Sequence, residues 1–89
     1  MRKIYKYKIK SLGMTNILMP QGAQILSAQW QYSSPVSVWA IVDPNAPQVA
    51  RSFYTVMTDA PPPDDPRYKF LATIQEETEF VYHVFVLEE

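Results

Sequence analysis

Apolar and polar residues alternate with a period of two along most of the chain, and no helix-length window carries a 3.6-residue apolar period. The pattern predicts strands and no long helix. In residues 2–10, Tyr5, Tyr7 and Ile9 fall on one side, expected to face a core. Lys6, Lys8 and Lys10 fall on the other, spaced about 7 Å apart. Thr15–Met19 reads as a second strand. Pro20-Gln21-Gly22 then signals a hairpin, with Pro20 at the second position of a type I turn and Gly22 in a left-handed position. Ala23–Tyr32 alternates, with Leu26, Ala28, Trp30 and Tyr32 expected on one face and Ser27, Gln29 and Gln31 on the other.

Val36–Val42 is apolar on both faces, the mark of a central strand or of one covered on both sides by a partner. Asp43-Pro44-Asn45-Ala46-Pro47 stops it, as a turn or one short helical turn. Arg51–Thr58 is the fifth strand. The run 59–66 carries consecutive prolines, which favour polyproline II and cannot join a sheet interior. Tyr68–Gln75 and Glu79–Leu87 form a closing hairpin around 76–78. Both faces of its second arm are apolar, so that strand is central or lies at a subunit interface. The fold class expected is all-β: a compact antiparallel β-sandwich or small barrel of about seven strands, in one domain over residues 1–89.

Composition adds three constraints. A chain of 89 residues buries a modest share of its surface, and it has no cysteine to cross-link it. Stability must come from a dense aromatic core, supplied by six Tyr, four Phe and two Trp, and from self-association; a homo-oligomer is expected. One His and no Cys leave no ordinary zinc site, and no cofactor is expected. No apolar run approaches the ~20 residues of a membrane-spanning helix, and the basic N-terminus lacks the apolar segment of a signal peptide. No membrane partner is expected, and the cytoplasm is the expected location.

Charge is divided end to end. Residues 1–42 contain five cations, Arg2, Lys3, Lys6, Lys8 and Lys10, and no acid. Residues 43–89 hold all nine acids with only Arg51, Arg67 and Lys69, so the halves carry +5 and −6. Lys6, Lys8 and Lys10, with Arg51 converging from another strand, are candidates for holding phosphate, and Tyr5 and Trp39 for stacking a base. The competing readings are a solvated edge strand guarded by lysines and cross-strand pairing with the acidic half. A net charge of −1 argues against duplex DNA as the partner. His83 stands mid-strand without a local catalytic partner and reads as a hydrogen-bonded structural residue. Asp64-Asp65 and Glu76-Glu77 fall in a loop and a turn and read as solvated surface. Gly-rich phosphate loops, HExxH and GxSxG are absent, and no enzyme is expected.

Ile4-Tyr5-Lys6-Tyr7, Met19-Pro20-Gln21-Gly22-Ala23 and Trp39-Ala40-Ile41-Val42-Asp43-Pro44 resemble a family of small phage and prophage proteins. The likeness continues through Arg51-Ser52-Phe53, Thr58, Asp65-Pro66, Tyr68, Thr73 and Phe80-Val81-Tyr82-His83-Val84-Phe85. The family pattern has Leu at the place of Met19 and Gly at that of Asp59; the second difference bears on the turn after Thr58. The resemblance implies a phage-encoded accessory protein in the host cytoplasm that acts by binding, with no catalytic residues to carry over. Two functions are compatible with it. One is sequestration of an anionic, nucleotide-type signal of host defence. The other is a structural or protein-interaction module that meets a host or phage protein through the basic N-terminal strand.

Overall fold

The computed structural model describes residues 1–31, 34–76 and 80–88, with Ser34 and Pro35 described by backbone only. Seven antiparallel-paired strands run in the order β1 (Lys3–Ile9), β2 (Gly13–Pro20), β3 (Gln24–Gln31), β4 (Ser34–Val42), β5 (Gln48–Met57), β6 (Tyr68–Gln75) and β7 (Val81–Leu87). They form a three-stranded sheet, β1-β4-β3, and a four-stranded sheet, β2-β5-β7-β6. The two inner faces pack together, so of the two expected architectures the sandwich is the one adopted, not a closed barrel. No helix occurs among the described residues.

The two strands that are apolar on both faces take interior places. β4 lies between β1 and β3, and β7 between β5 and β6. From β4, Val36, Val38, Ala40 and Val42 are buried in the core; from β7, Tyr82, Val84 and Val86. Phe53, Met19, Ile9, Ile74, Ala23 and Ala28 complete it. Trp30 stacks flat on Tyr82 across the sandwich, with ring centroids 5.7 Å apart and planes at 4°. Burying these apolar faces is the main favourable term available to a chain without disulfides.

Three sequence expectations are corrected. The turn after β2 does not close a hairpin, because β2 and β3 belong to different sheets. Pro20 is the first residue of that turn, not the second: Ala23 N–H donates to the Pro20 carbonyl at 3.1 Å, with Gly22 at φ +83. The turn carries the chain across the sandwich. Along β3, Leu26 does not share a face with Ala28 and Trp30. A bulge places Leu26 and Ser27 against the single residue Trp39, between the pairs Ile25↔Ala40 and Ala28↔Val38. Ile25 therefore turns inward and Leu26 outward, where it is 42% exposed. Tyr32, assigned to the same face, lies outside the described residues, as do 77–79 of the closing hairpin. Residues 43–46 form a turn, the first of the two forms expected there, with Ala46 N–H bonded to the Asp43 carbonyl at 3.0 Å and Asn45 N–H to Asp43 Oδ1 at 3.0 Å.

The proline-rich segment has a topological task. β5 and β6 both pair antiparallel with β7, so they run parallel to each other. Met57, at the end of β5, is level with Tyr82, and Tyr68, at the start of β6, with Leu87. The connection must return over five residues of β7, about 17 Å at strand rise. Extended proline-rich chain covers that distance in few residues, at about 3.1 Å each. It packs beside Met14 and Tyr54 on the outer side of the four-stranded sheet.

Candidate functional site

The outer face of the three-stranded sheet collects the basic strand. Cross-strand registers place side chains in rows: Ile4 and Gln24 flank Ile41, Lys6 and Ser27 flank Trp39, and Lys8 and Gln29 flank Ser37. Period two makes this inevitable once Tyr7 and Ile9 turn inward. Ile4 is 62% exposed, and with the bulged Leu26 it forms an apolar rim around Trp39. Ile4, Leu26, Ser27, Gln29 and Trp39 line an open depression of about 280 Å³. Lys6 Nζ crosses β4 to donate to Gln31 Oε1 at 2.8 Å. That partner is neutral, so it fixes the ammonium in place without cancelling its charge. Ser37, on β4 between these rows, is fully buried and its hydroxyl has no partner among the described residues.

Of the six candidate residues, the fold brings together Lys6, Lys8 and Trp39. Tyr5 projects from the opposite, inner side of β1, where it is 38% exposed and its ring lies 6.5 Å from that of Tyr7. Burial, and secondarily the neighbouring Tyr5, pushes the Tyr7 hydroxyl pKa up. Lys10 lies beyond the end of β1, where its backbone N–H donates to Thr15 Oγ1 at 3.0 Å as the chain passes between sheets. Arg51 belongs to the other sheet. Its Nη1 donates to the Ala23 carbonyl at 3.0 Å, tying β5 to the turn between β2 and β3. It also lines a depression of about 280 Å³ with Ala50, Ser52, Leu87 and Glu88. The cationic face is therefore built from β1 and β4 without Arg51.

A second outer surface holds none of the six candidate residues. Met14, Tyr54, Phe85 and Phe70 stand in register across all four strands of the larger sheet. Met14 is 50% and Phe70 60% exposed. Phe70 meets Phe85 edge-on at 5.9 Å, and Tyr54 meets Tyr68 likewise at 5.9 Å. Between this aromatic row and the proline segment runs a groove of about 340 Å³, lined by Met14, Tyr54, Tyr68, Pro61–Pro63, Asp64 and Asp65. Asp65 is clasped by Arg67, with Nη2 to Oδ2 at 2.7 Å, and the Arg67 hydrogen bonds hold its carboxyl pKa below the usual carboxylate value. The signal in the sequence was the two-faced apolar character of the last strand, whose outward side carries Phe85.

His83 sits on that same face between two hydroxyls, Thr58 Oγ1 at 2.9 Å from Nε2 and Thr73 Oγ1 at 3.0 Å from Nδ1. Both ring nitrogens are thus engaged in joining the turn after β5 to β6. No group of three or more His, Asp or Glu side chains converges among the described residues. No helix among them is long and apolar enough to cross a membrane.

The chain belongs to the DUF7352 family, described as a domain of unknown function, whose profile matches residues 1–89. No curated protein and no solved structure matches it.

Proposed function

We propose that this chain is a non-catalytic binding domain that recognises a negatively charged protein partner through the outer face of its three-stranded sheet. The observation that carries the reading is the Trp39 face: an indole with an apolar rim of Ile4 and Leu26, flanked by Lys6 in its own row and Lys8 in the next. An apolar centre with a charged border is the usual anatomy of a protein interface, and the cations would steer an acidic partner. In the phage setting implied by the resemblance, the partner is a phage or host protein met in the host cytoplasm.

One feature favours a second reading, an anionic nucleotide-type ligand. The depression beside Trp39 sets Ser27 and Gln29 next to an aromatic surface, which suits a stacked base with polar edges. Its volume of about 280 Å³ is at the small end of ligand sites, which run from ~300 Å³ upward, and this is why the protein partner leads.

Both readings are tested by titrating isotope-labelled protein at low salt with a poly-glutamate peptide and, separately, with mono-, di- and cyclic nucleotides. Amide resonances of Lys6, Lys8 and Trp39 should move with poly-glutamate, and K6E/K8E should lose the effect while its circular dichroism stays unchanged. Movement with nucleotides alone would transfer the site to the second reading. Silence of the Trp39 face toward both probes overturns the proposal.

A further inference from the structure

The two outer faces of the sandwich are complementary. One presents Lys6 and Lys8 around Trp39, Ile4 and Leu26; the other presents a groove with Asp64 and Asp65 at the proline segment and Met14, Tyr54 and Tyr68 along its floor. Each therefore pairs exposed apolar surface with a net charge. The signs are opposite because every residue before position 43 is neutral or cationic and every acid lies at position 43 or after. Asp65 is engaged by Arg67, but Asp64 is exposed and has no ion pair among the described residues.

We propose that the negatively charged partner of the Trp39 face is a second copy of this chain, bound by its acidic proline-segment groove. This rests on the reading of the Trp39 face as an anionic-partner site and names the partner. The contact is heterologous, since the two surfaces differ and lie on opposite sides of a body with extents of 40 × 30 × 15 Å. Each copy that docks its Trp39 face keeps its own groove free, and each copy that offers its groove keeps its Trp39 face free. Addition therefore continues as an open stack, or closes as a ring if the rotation per copy permits.

Magnitude fixes the character of the association. Three strands about 4.8 Å apart, seven to nine residues long, give a face of roughly 14 by 23–30 Å. That falls below the ~800 Å² per partner of a stable interface. A single contact is therefore weak. Its charged component is exposed, so salt screens it over about a Debye length. Self-association should depend steeply on concentration and ionic strength.

The test is sedimentation velocity on the whole chain and on two double variants. K6E/K8E spoils the Trp39 face and leaves the groove; M14S/D64S spoils the groove and leaves the Trp39 face. Wild type should exceed the mass of one chain at low salt, increasingly with concentration, and return to one chain at high salt. Each variant alone should stay at one chain, and an equimolar mixture should reach the mass of two chains and stop. That capped pair arises because only one intact surface of each kind remains. Matching circular dichroism of the variants and wild type secures the comparison. A wild type of one-chain mass at all concentrations in low salt overturns the inference, as does a mixture that fails to pair. If wild type is monomeric while poly-glutamate still moves the Trp39 resonances, the self-partner falls and the proposed function stands.

Discussion

At the scale of the residue, Tyr82 shows how one side chain serves core and chemistry together. Its ring is buried under Trp30, while its hydroxyl donates to Glu76 Oε1 at 3.2 Å. Burial first, and then the nearby Glu76 carboxylate, raises the Tyr82 pKa above the ordinary value of 10.0. The folded state therefore holds this proton more tightly than the unfolded chain. Its contribution is fully present below the unfolded pKa and is lost as pH rises through the folded one. Thermal stability of wild type should fall on raising the pH above about 10. Y82F should remove part of that fall, while its melting at neutral pH is lowered only by loss of the hydrogen bond. If Y82F and wild type show the same alkaline slope, Tyr82 is not a source of the loss. Trp39, the other residue of interest at this scale, contrasts with Trp30. Both lie on strands, yet one is stacked inside and the other faces outward, which composition alone does not distinguish.

At the scale of the element, the strand pattern was largely legible, and its failures have a common cause. The limits of β6 match the reading of Tyr68–Gln75, and both two-faced strands proved central. Period-two alternation assumes an unbroken ladder, so it cannot register the bulge that turns Leu26 outward. It also cannot say which sheet a strand joins, because pairing is decided by inner-face packing across the whole chain. That is why the turn at 20–23 looked like a hairpin and why Lys6, Lys8 and Trp39 met while Arg51 did not. The turn after Thr58 was legible in another way. The pattern that the sequence resembles has Gly at the place of Asp59, and Asp59 adopts φ +78 with Ala60 N–H bonded to the Met57 carbonyl at 3.1 Å. This is the φ signature of a type II turn, which favours Gly at its third residue. A left-handed conformation costs an L-residue ~1–2 kcal/mol, less for Asp, against the ~0.4–1 kcal/mol that Gly adds to unfolded-chain entropy. D59G should therefore stabilise the fold slightly, by less than ~1 kcal/mol. G22A should do the reverse, losing about 1 kcal/mol or more. A Cβ at Gly22 meets nothing within 4 Å, so that loss is conformational and not steric. Urea unfolding reads both; a stable G22A would show that the turn can relax its backbone.

At the scale of the whole molecule, two apolar surfaces of different kinds must be told apart: the inner one that folds the chain and the outer ones proposed to bind. For a chain of this length total stability is about 4–13 kcal/mol, at ~0.05–0.15 kcal/mol per residue. Phe53 is fully buried in β5, paired with Thr15 of β2 and Val86 of β7. Truncating it leaves a cavity in the core, and F53A should cost ~3–5 kcal/mol, a third or more of a typical margin. Phe70 has the same side chain but faces outward from β6 in line with Phe85, Tyr54 and Met14. F70S forfeits its edge-on contact with Phe85 and little buried area, so it should cost about 1 kcal/mol or less. The pair separates the roles when urea midpoints and association are measured on the same samples. F53A should lower the midpoint sharply at unchanged slope. F70S should hold the midpoint and weaken the salt-sensitive association, because it removes apolar surface beside the acidic groove. A large stability loss in F70S would mean that this row is part of the folding core, and the aromatic face would then lose its claim as a docking surface.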